Sequence, residues 1–263
     1  SPENLSTFRI GLKCFFDEGR ALARISHPNV VSVINFFRAN DTVYMVMAYE
    51  SGRSLQDHIL RRRDKGDKPL VSERFIRKMF SQVMNGLREV HTNKLLHLDL
   101  KPANIYLRLD GTPILLDFGA ARQTLKADLP KLYPMYTPGF AAPELYVKNS
   151  NLGPWTDIYS IGASMFASMV GAPPQPADQR KKNDKMDGHM RKLEGIYSPE
   201  LLRVIRWTLM MDPLARPQSV FALQKALREP IQEVQPLSLL QVLGKKLQGL
   251  LGYGRRSTDK QDK

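Results

Sequence analysis

The stretch His97-Leu98-Asp99-Leu100-Lys101-Pro102-Ala103-Asn104 puts a carboxylate, an ammonium and an amide on one loop, and Asp117-Phe118-Gly119 begins 13 residues after Asn104. Asp and Asn oxygens are hard ligands suited to Mg²⁺, which takes few protein groups and completes its octahedron with phosphates and water. A lysine beside a carboxylate can neutralise a transferring phosphoryl group, and the second carboxylate can accept a hydroxyl proton. Each Asp taken singly would serve as a turn former or helix cap. The set together points to phosphate chemistry.

Those loops need a frame. Strands expected at Ile105 to Leu109 and Ile114 to Leu116 flank a turn at Asp110-Gly111 and carry the chain from Asn104 to Asp117. Upstream, helical patterns run over Ser54 to Arg63 and Ser72 to Thr92, the second with Ser72 as its N-cap. Val30 to Phe37 and Thr42 to Tyr49 read as strands joined by a turn at Asn40-Asp41. Ahead of them, Phe15 to Ile25 has helical spacing and stops before His27-Pro28. From about Asp157 the pattern is helical, with loops at Gly171 to Pro176 and Met211 to Pro217. A few strands therefore precede a mostly helical body, which is an α+β order.

Composition narrows the classes. The 263 residues are 42% hydrophobic and 25% charged, enough apolar side chain for a sizeable core, which excludes disorder as the main state. Cys14 is the only cysteine, so a disulfide scaffold is excluded and a reducing, cytoplasmic setting is compatible. The best apolar run, Ile161 to Val170, falls short of the roughly 18 residues needed to span a bilayer. A balance of 39 Lys+Arg against 26 Asp+Glu gives +13, which would suit a polyanionic partner. The basic clusters are Arg61-Arg62-Arg63 with Lys65 and Lys68, and Arg180-Lys181-Lys182 with Lys185. Both read as solvated loop charge without the interleaved aromatics that stack bases, so nucleic acid is not an expected partner.

HLDLKPAN followed by DFG resembles the catalytic and metal-binding loops of the protein kinases, H-R-D-L-x-x-x-N and D-F-G. Further matches come in order. Ala142-Pro143-Glu144 resembles the A-P-E motif, DIYSIG from Asp157 looks like the start of the central helix, and Arg216 resembles the arginine that pairs with the A-P-E glutamate. YMVMAYESG fits the strand-to-hinge passage. YTPGFAAPE and GPWTDIYSIGAS are similar to bacterial Ser/Thr kinases of eukaryotic type, and Lys101 with Thr137 favours Ser/Thr over Tyr as acceptor.

This resemblance implies a bilobal α+β kinase fold that transfers the ATP γ-phosphoryl group to Ser or Thr hydroxyls of protein substrates, with Mg²⁺ as cofactor. Asp99 would accept or orient the acceptor proton and Lys101 would neutralise the γ-phosphate, while Asn104 and Asp117 hold Mg²⁺. Thr137 would touch Asp99 and Lys101, and the loop Thr137 to Ala142 would receive the substrate. Met47 would be the gatekeeper, and backbone groups near Ala48 and Glu50 would hold adenine. Glu18 would pair with the lysine of the family's third strand. His97, Phe118, Leu22 and Val33 resemble a packed spine. Asp157 would hydrogen-bond the backbone of the catalytic loop, and Glu144 with Arg216 would form a structural ion pair.

Two departures from the family pattern stand out. The Gly-rich loop and third-strand lysine do not occur in the sequence; family spacing puts that lysine roughly twenty or more residues before Glu18, upstream of Ser1. On that reading residues 1–50 are the remnant of a small lobe lacking its first strands, residues 51–228 are a complete helical large lobe, and the chain alone is expected to be inactive. The second departure is Leu98, where most members carry an arginine that reads a phosphate on the activation segment, so ordering of that kind is not expected.

Residues 229–263 differ in character. Pro230 and Pro236 break the preceding helix, and Leu239, Leu240, Leu243, Leu247, Leu250 and Leu251 then follow helical spacing beside Lys245, Lys246, Arg255 and Arg256. Residues 237–256 would lie on an anionic membrane or a partner helix, or pack on the kinase body. Two further classes stay open: a pseudokinase scaffold, which Asp99, Asn104 and Asp117 argue against, and a basic adaptor for a polyanion, which the net charge favours.

Overall fold

The structure is a computed structural model that describes residues 19–40, 42–116, 122–123 and 136–228. A helical turn over residues 19–22 leads to an antiparallel pair, β1 (Val33–Ala39) and β2 (Thr42–Met47), where Phe37 stands opposite Tyr44 with the rings stacked 5.3 Å apart. Then come β3 (Gly52–Ser54), α1 (Leu55–Asp64), α2 (Glu73–Thr92), β4 (Leu95–Leu96), β5 (Ile105–Arg108), β6 (Pro113–Leu115) and β7 (Arg122–Gln123). Helices α3 (Pro154–Val170), α4 (Ala177–Arg180), α5 (Met186–Arg191), α6 (Pro199–Thr208) and α7 (Val220–Leu227) complete the described residues. Strands β3, β5 and β6 form one antiparallel sheet, and β4 pairs with β7.

Serine hydroxyls start four of these helices. Ser54, Ser72, Ser198 and Ser219 accept the backbone N–H of Asp57, Phe75, Leu201 and Ala222, each satisfying a donor the helix cannot pair internally. Helix α2 buries Ile76, Met79, Phe80, Val83, Met84, Leu87 and Val90 along one face. Helix α3 is buried on nearly all sides from Thr156 to Met169, and its buried Ser164 and Ser168 hydroxyls donate to the carbonyls of Ser160 and Ser164. Gly162 on α3 permits close approach of α6, because a β-carbon there would overlap the Thr208 side chain. Among the described residues no helix is long and apolar enough to cross a membrane.

The strand bounds differ from expectation in an instructive way. Residues 30–32 do not extend β1: Val30 bridges to Leu115, Val31 N–H donates to the Leu115 carbonyl at 3.0 Å, and Leu115 N–H donates to Asn29 at 2.9 Å. The segment is thus hydrogen-bonded to β6, and β1 begins only at Val33. Strand β2 ends at Met47, since Ala48 to Ser51 run on as irregular hinge-like backbone. Strand β3, absent from the sequence reading, exists because Gly52 and Ser54 pair with Arg108 and Tyr106 of β5.

Most of both basic clusters is exposed, as expected of solvated charge, but two parts are corrected. Arg61, Arg62 and Arg63 form the last turn of α1, where cations complement the helix dipole, rather than a loop. Arg180 is buried: Nη1 donates to Tyr159 Oη (3.0 Å) and the Leu209 carbonyl (2.8 Å), while Nη2 pairs with Asp184 (2.8 Å). It is a core anchor, not a solvated charge. The readings for Phe15 to Glu18, Asp117 to Gly119 and residues 229–263 lie outside the described residues.

Candidate active site

The site is built on the loop between β4 and a 3₁₀ turn at Pro102–Asn104. Leu98 takes φ 64°, a left-handed conformation that costs a residue with a β-carbon roughly 1–2 kcal/mol. Asp157 at the start of α3 holds this bend. Its Oδ2 accepts the His97 N–H at 2.9 Å and its Oδ1 accepts the Leu98 N–H at 2.8 Å, as the sequence reading expected. Burial pushes the Asp157 carboxyl pKa up, but His91 Nε2 at 2.8 Å, the charges nearby and the Leu98 N–H outweigh it and leave the group below its ordinary value.

His97 is fully buried and locked at both ring nitrogens. Nδ1 accepts the Asp99 N–H at 3.4 Å, so Nε2 carries the proton and donates to the Leu116 carbonyl at 3.1 Å. The Leu116 N–H in turn donates to the Asn104 carbonyl at 2.9 Å. The loop and the end of the β5–β6 hairpin are therefore fastened through one imidazole and one amide. Leu22 is buried in the main hydrophobic core, and Val33 packs against that core.

Asp99, Lys101 and Thr137 close a triangle. Lys101 Nζ donates to Asp99 Oδ2 at 2.8 Å and to Thr137 Oγ1 at 2.7 Å, and the Thr137 hydroxyl donates to Asp99 Oδ1 at 2.8 Å. The Asp99 and Lys101 side chains remain 18% and 23% exposed, open enough to meet a ligand. Asn104 Nδ2 donates to the Asp99 carbonyl at 2.8 Å and approaches Asp99 Oδ2 at 3.3 Å. With its nitrogen so engaged, the amide turns its oxygen away from Asp99, and that oxygen is a hard donor of the type Mg²⁺ takes. Asp117, its expected partner, and Glu18 lie outside the described residues. Among the described residues no cluster of three His, Cys, Asp or Glu is placed to hold a metal.

The hinge passage is pinned from below. Glu50 makes a two-pronged pair with Arg108, Oε2 to Nε at 2.7 Å and Oε1 to Nη2 at 2.8 Å, and that bond lowers its carboxyl pKa. Its carboxylate is thus committed, leaving backbone groups as what this position can offer a ligand. The Ala48 N–H is likewise engaged with the Ser32 carbonyl at 2.9 Å. Met47 ends β2 opposite Val33.

The segment after Thr137 is carried by a buried pair. All five donors of Arg216 are used: Nη1 and Nη2 take both Glu144 oxygens at 2.8 and 3.0 Å, and the rest reach the carbonyls of Met210, Met211 and Trp155. Thr156 Oγ1 also donates to Glu144 at 2.9 Å. Ser160 Oγ donates to the Phe140 carbonyl at 2.9 Å, fastening the loop after Thr137 onto α3. Sequence reasoning missed His91, Arg108 and Ser160. Each acts through a partner 20 or more positions away, and only the helical register of Ser160 on α3 gave any signal.

Comparison with known proteins agrees with this geometry. The chain is 27% identical over 195 residues to NUAK family SNF1-like kinase 2 of Rattus norvegicus, covering 74% of the chain and 30% of that protein. It is 30% identical over 206 residues to hormonally up-regulated neu tumor-associated kinase homolog of Xenopus tropicalis, covering 76% and 29%. A probable serine/threonine-protein kinase, MARK-C of Dictyostelium discoideum, is 28% identical over 205 residues, covering 76% and 26%. The chain thus spans roughly 30% of the length of these curated relatives. The solved structure of the PpkA-294 apo form superimposes with a TM-score of 0.70 at 31% identity, covering 86% of this chain and 78% of that one. Residues 6–230 match the family model for the protein kinase domain, and the chain belongs to the protein kinase family.

Proposed function

We propose that the protein carrying this domain transfers the γ-phosphoryl group of ATP to Ser or Thr hydroxyls of protein substrates. The observation that carries the reading is the triangle of Asp99, Lys101 and Thr137, with Asn104 fixed at its back. Asp99 Oδ1 and Oδ2 are held by donors that do not remove its charge, so the carboxylate can accept a proton from an acceptor hydroxyl brought alongside. Lys101 places its ammonium between Asp99 and the acceptor segment, where it offsets negative charge on an incoming phosphoryl group. Asn104 and Asp117 would hold Mg²⁺, which when bound neutralises phosphate charge. Phosphoryl transfer of this kind rests on positioning and charge neutralisation, which is what this rigidly hydrogen-bonded loop supplies.

The hinge from Met47 to Glu50 would present backbone groups to adenine, and Glu18 would pair with a lysine from the small lobe. The wording around Thr137 supports a kinase of the bacterial, eukaryotic-type group. Residues 237–256 would touch an anionic membrane or a partner helix. The test is incubation of the full-length protein with Mg²⁺, radiolabelled ATP and a generic acceptor protein, followed by phosphoamino-acid analysis. Label on Ser or Thr that disappears in Asp99→Ala, with ATP affinity retained, is the expected outcome. Full transfer by Asp99→Ala would overturn the assignment.

A further inference from the structure

A second, small apolar cluster stands apart from the main core. Leu96 of β4 and Leu98 of the catalytic loop are buried against Ala141 and Leu145 of the acceptor-side segment, with Tyr146 and Leu152 packed around them. Leu98 is only 3% exposed. Its φ of 64° is one that glycine adopts without strain, so a leucine at this bend contributes its side chain and not its backbone freedom. Asp99, the next residue, grips Thr137 through its Oδ1 at 2.8 Å. Two consecutive residues therefore hold one segment, Leu98 by apolar contact near its 3₁₀ turn (Pro143–Tyr146) and Asp99 by a hydrogen bond at its start.

We infer that Leu98 is a positioning residue that seats the acceptor-binding segment, residues 137–146, against the catalytic loop by apolar packing. The inference deepens the kinase reading and rests on it for its kinetic consequence. Truncating Leu98 leaves a void between the loop and Ala141 and Leu145, so the segment loses its seat on one side. Thr137 then reaches Asp99 from a less constrained segment. The nucleotide side, built on Asn104 and the β5–β6 hairpin, keeps its fastenings through His97 and Leu116. Because an apolar contact forms the seat, it needs no added charge to assemble it.

The experiment compares Leu98→Ala and Leu98→Met with the unaltered full-length protein in two measurements. Hydrogen exchange reads the amides of Phe140, Ala141 and Leu145, which donate to the carbonyls of Thr137 and Ala142 in the structure. Steady-state kinetics read KM for an acceptor peptide, KM for ATP and kcat, before and after phosphatase treatment. In Leu98→Ala those amides should exchange at least tenfold faster while the α2 and α3 amides stay unchanged. Acceptor KM should rise at least fivefold with ATP KM within twofold. Leu98→Met, of similar volume, should restore both, and phosphatase should move the unaltered protein's acceptor KM less than twofold. Unchanged exchange in Leu98→Ala, an equal rise in both KM values, or a tenfold phosphatase effect would overturn the inference. An unaltered protein that transfers no phosphate would overturn the kinase reading, and faster exchange in Leu98→Ala would still support the apolar seat.

Discussion

Asp157 and Leu98 are 59 positions apart, and Asp157 Oδ1 accepts the Leu98 N–H at 2.8 Å. With its other oxygen on the His97 N–H and on His91 Nε2, this one carboxylate holds two consecutive amides of the bend that presents Asp99. No other acceptor among the described residues takes both N–H groups. The bend of the catalytic loop therefore depends on a residue that need not touch any substrate.

Replacing Asp157 by Asn should show this dependence. An amide offers one acceptor oxygen, and its NH₂ must face either the Leu98 N–H or the His97 N–H, leaving a buried donor unpaired. The expected loss is about 1–3 kcal/mol of stability, read by urea denaturation, together with a fall in turnover larger than the fall in ATP affinity. A variant as stable and as active as the parent would contradict the role.

Acid should weaken the fold through the buried Asp157 carboxyl and the half-buried Glu73 carboxyl. Burial raises the pKa of both Glu73 and Asp157, but the bonds to Glu73 from Ser198 and Arg77, and to Asp157 from His91 and the Leu98 N–H, leave both below their ordinary 4.5 and 3.8. The unfolded chain then binds more protons than the folded one as pH falls through those ordinary values. Stability from these groups is fully present above that range and is lost as pH drops through the lower folded-state values. Denaturation midpoints measured from pH 7 down to pH 3 should fall steeply below about pH 5. Glu73→Gln should reduce that slope while lowering stability at pH 7. A flat profile in the parent would show that neither carboxyl is held as described.

Glu144→Gln tests the buried pair beneath the acceptor segment. Arg216 would keep its carbonyl partners but lose its counter-charge in a site where it is 2% exposed. Stranding a buried charge costs about 3–5 kcal/mol. The Arg216→Lys change should cost a comparable amount despite keeping the charge, because an ammonium has three donors where the site uses five. Thermal unfolding of both variants decides it; a loss under 1 kcal/mol in either would mean the pair is not what fixes Glu144.

What could be read from the sequence follows how local each signal is. Ser72 announces its own helix because a cap acts within three residues, and the structure places its hydroxyl on Phe75 N–H. The Asp99, Lys101 and Asn104 spacing is equally local, and the loop brings these side chains together. Arg180 was misread because RKKNDK looks like a charge run, and nothing near it shows that Tyr159, 21 positions earlier, would receive its guanidinium. Strand β3 was invisible for the same reason: Gly52-Arg53-Ser54 has no strand pattern, and only pairing with β5 makes it one. Thr137 came from resemblance alone, since its 36-residue separation from Lys101 carries no periodicity.

Thr137 provides the sharpest test of the triangle. Thr137→Val keeps the shape and removes the oxygen, so Lys101 loses the bond at 2.7 Å and Asp99 Oδ1 loses its donor at 2.8 Å. Asp99 and Lys101 remain paired directly at 2.8 Å, so nucleotide affinity should stay within twofold. The acceptor segment, though, is no longer tied to Asp99, and kcat/KM for an acceptor peptide should fall about tenfold, the equivalent of roughly 1.4 kcal/mol. Thr137→Ser keeps an oxygen at the same position and should fall less than threefold. The ordering parent, Ser, Val in kcat/KM with constant ATP KM is the signature of a hydroxyl that couples acceptor to base. If Val keeps the parent's kcat/KM while Ser loses it, the methyl group and its packing are what matter at this position, and the hydroxyl bridge is not part of the site's chemistry.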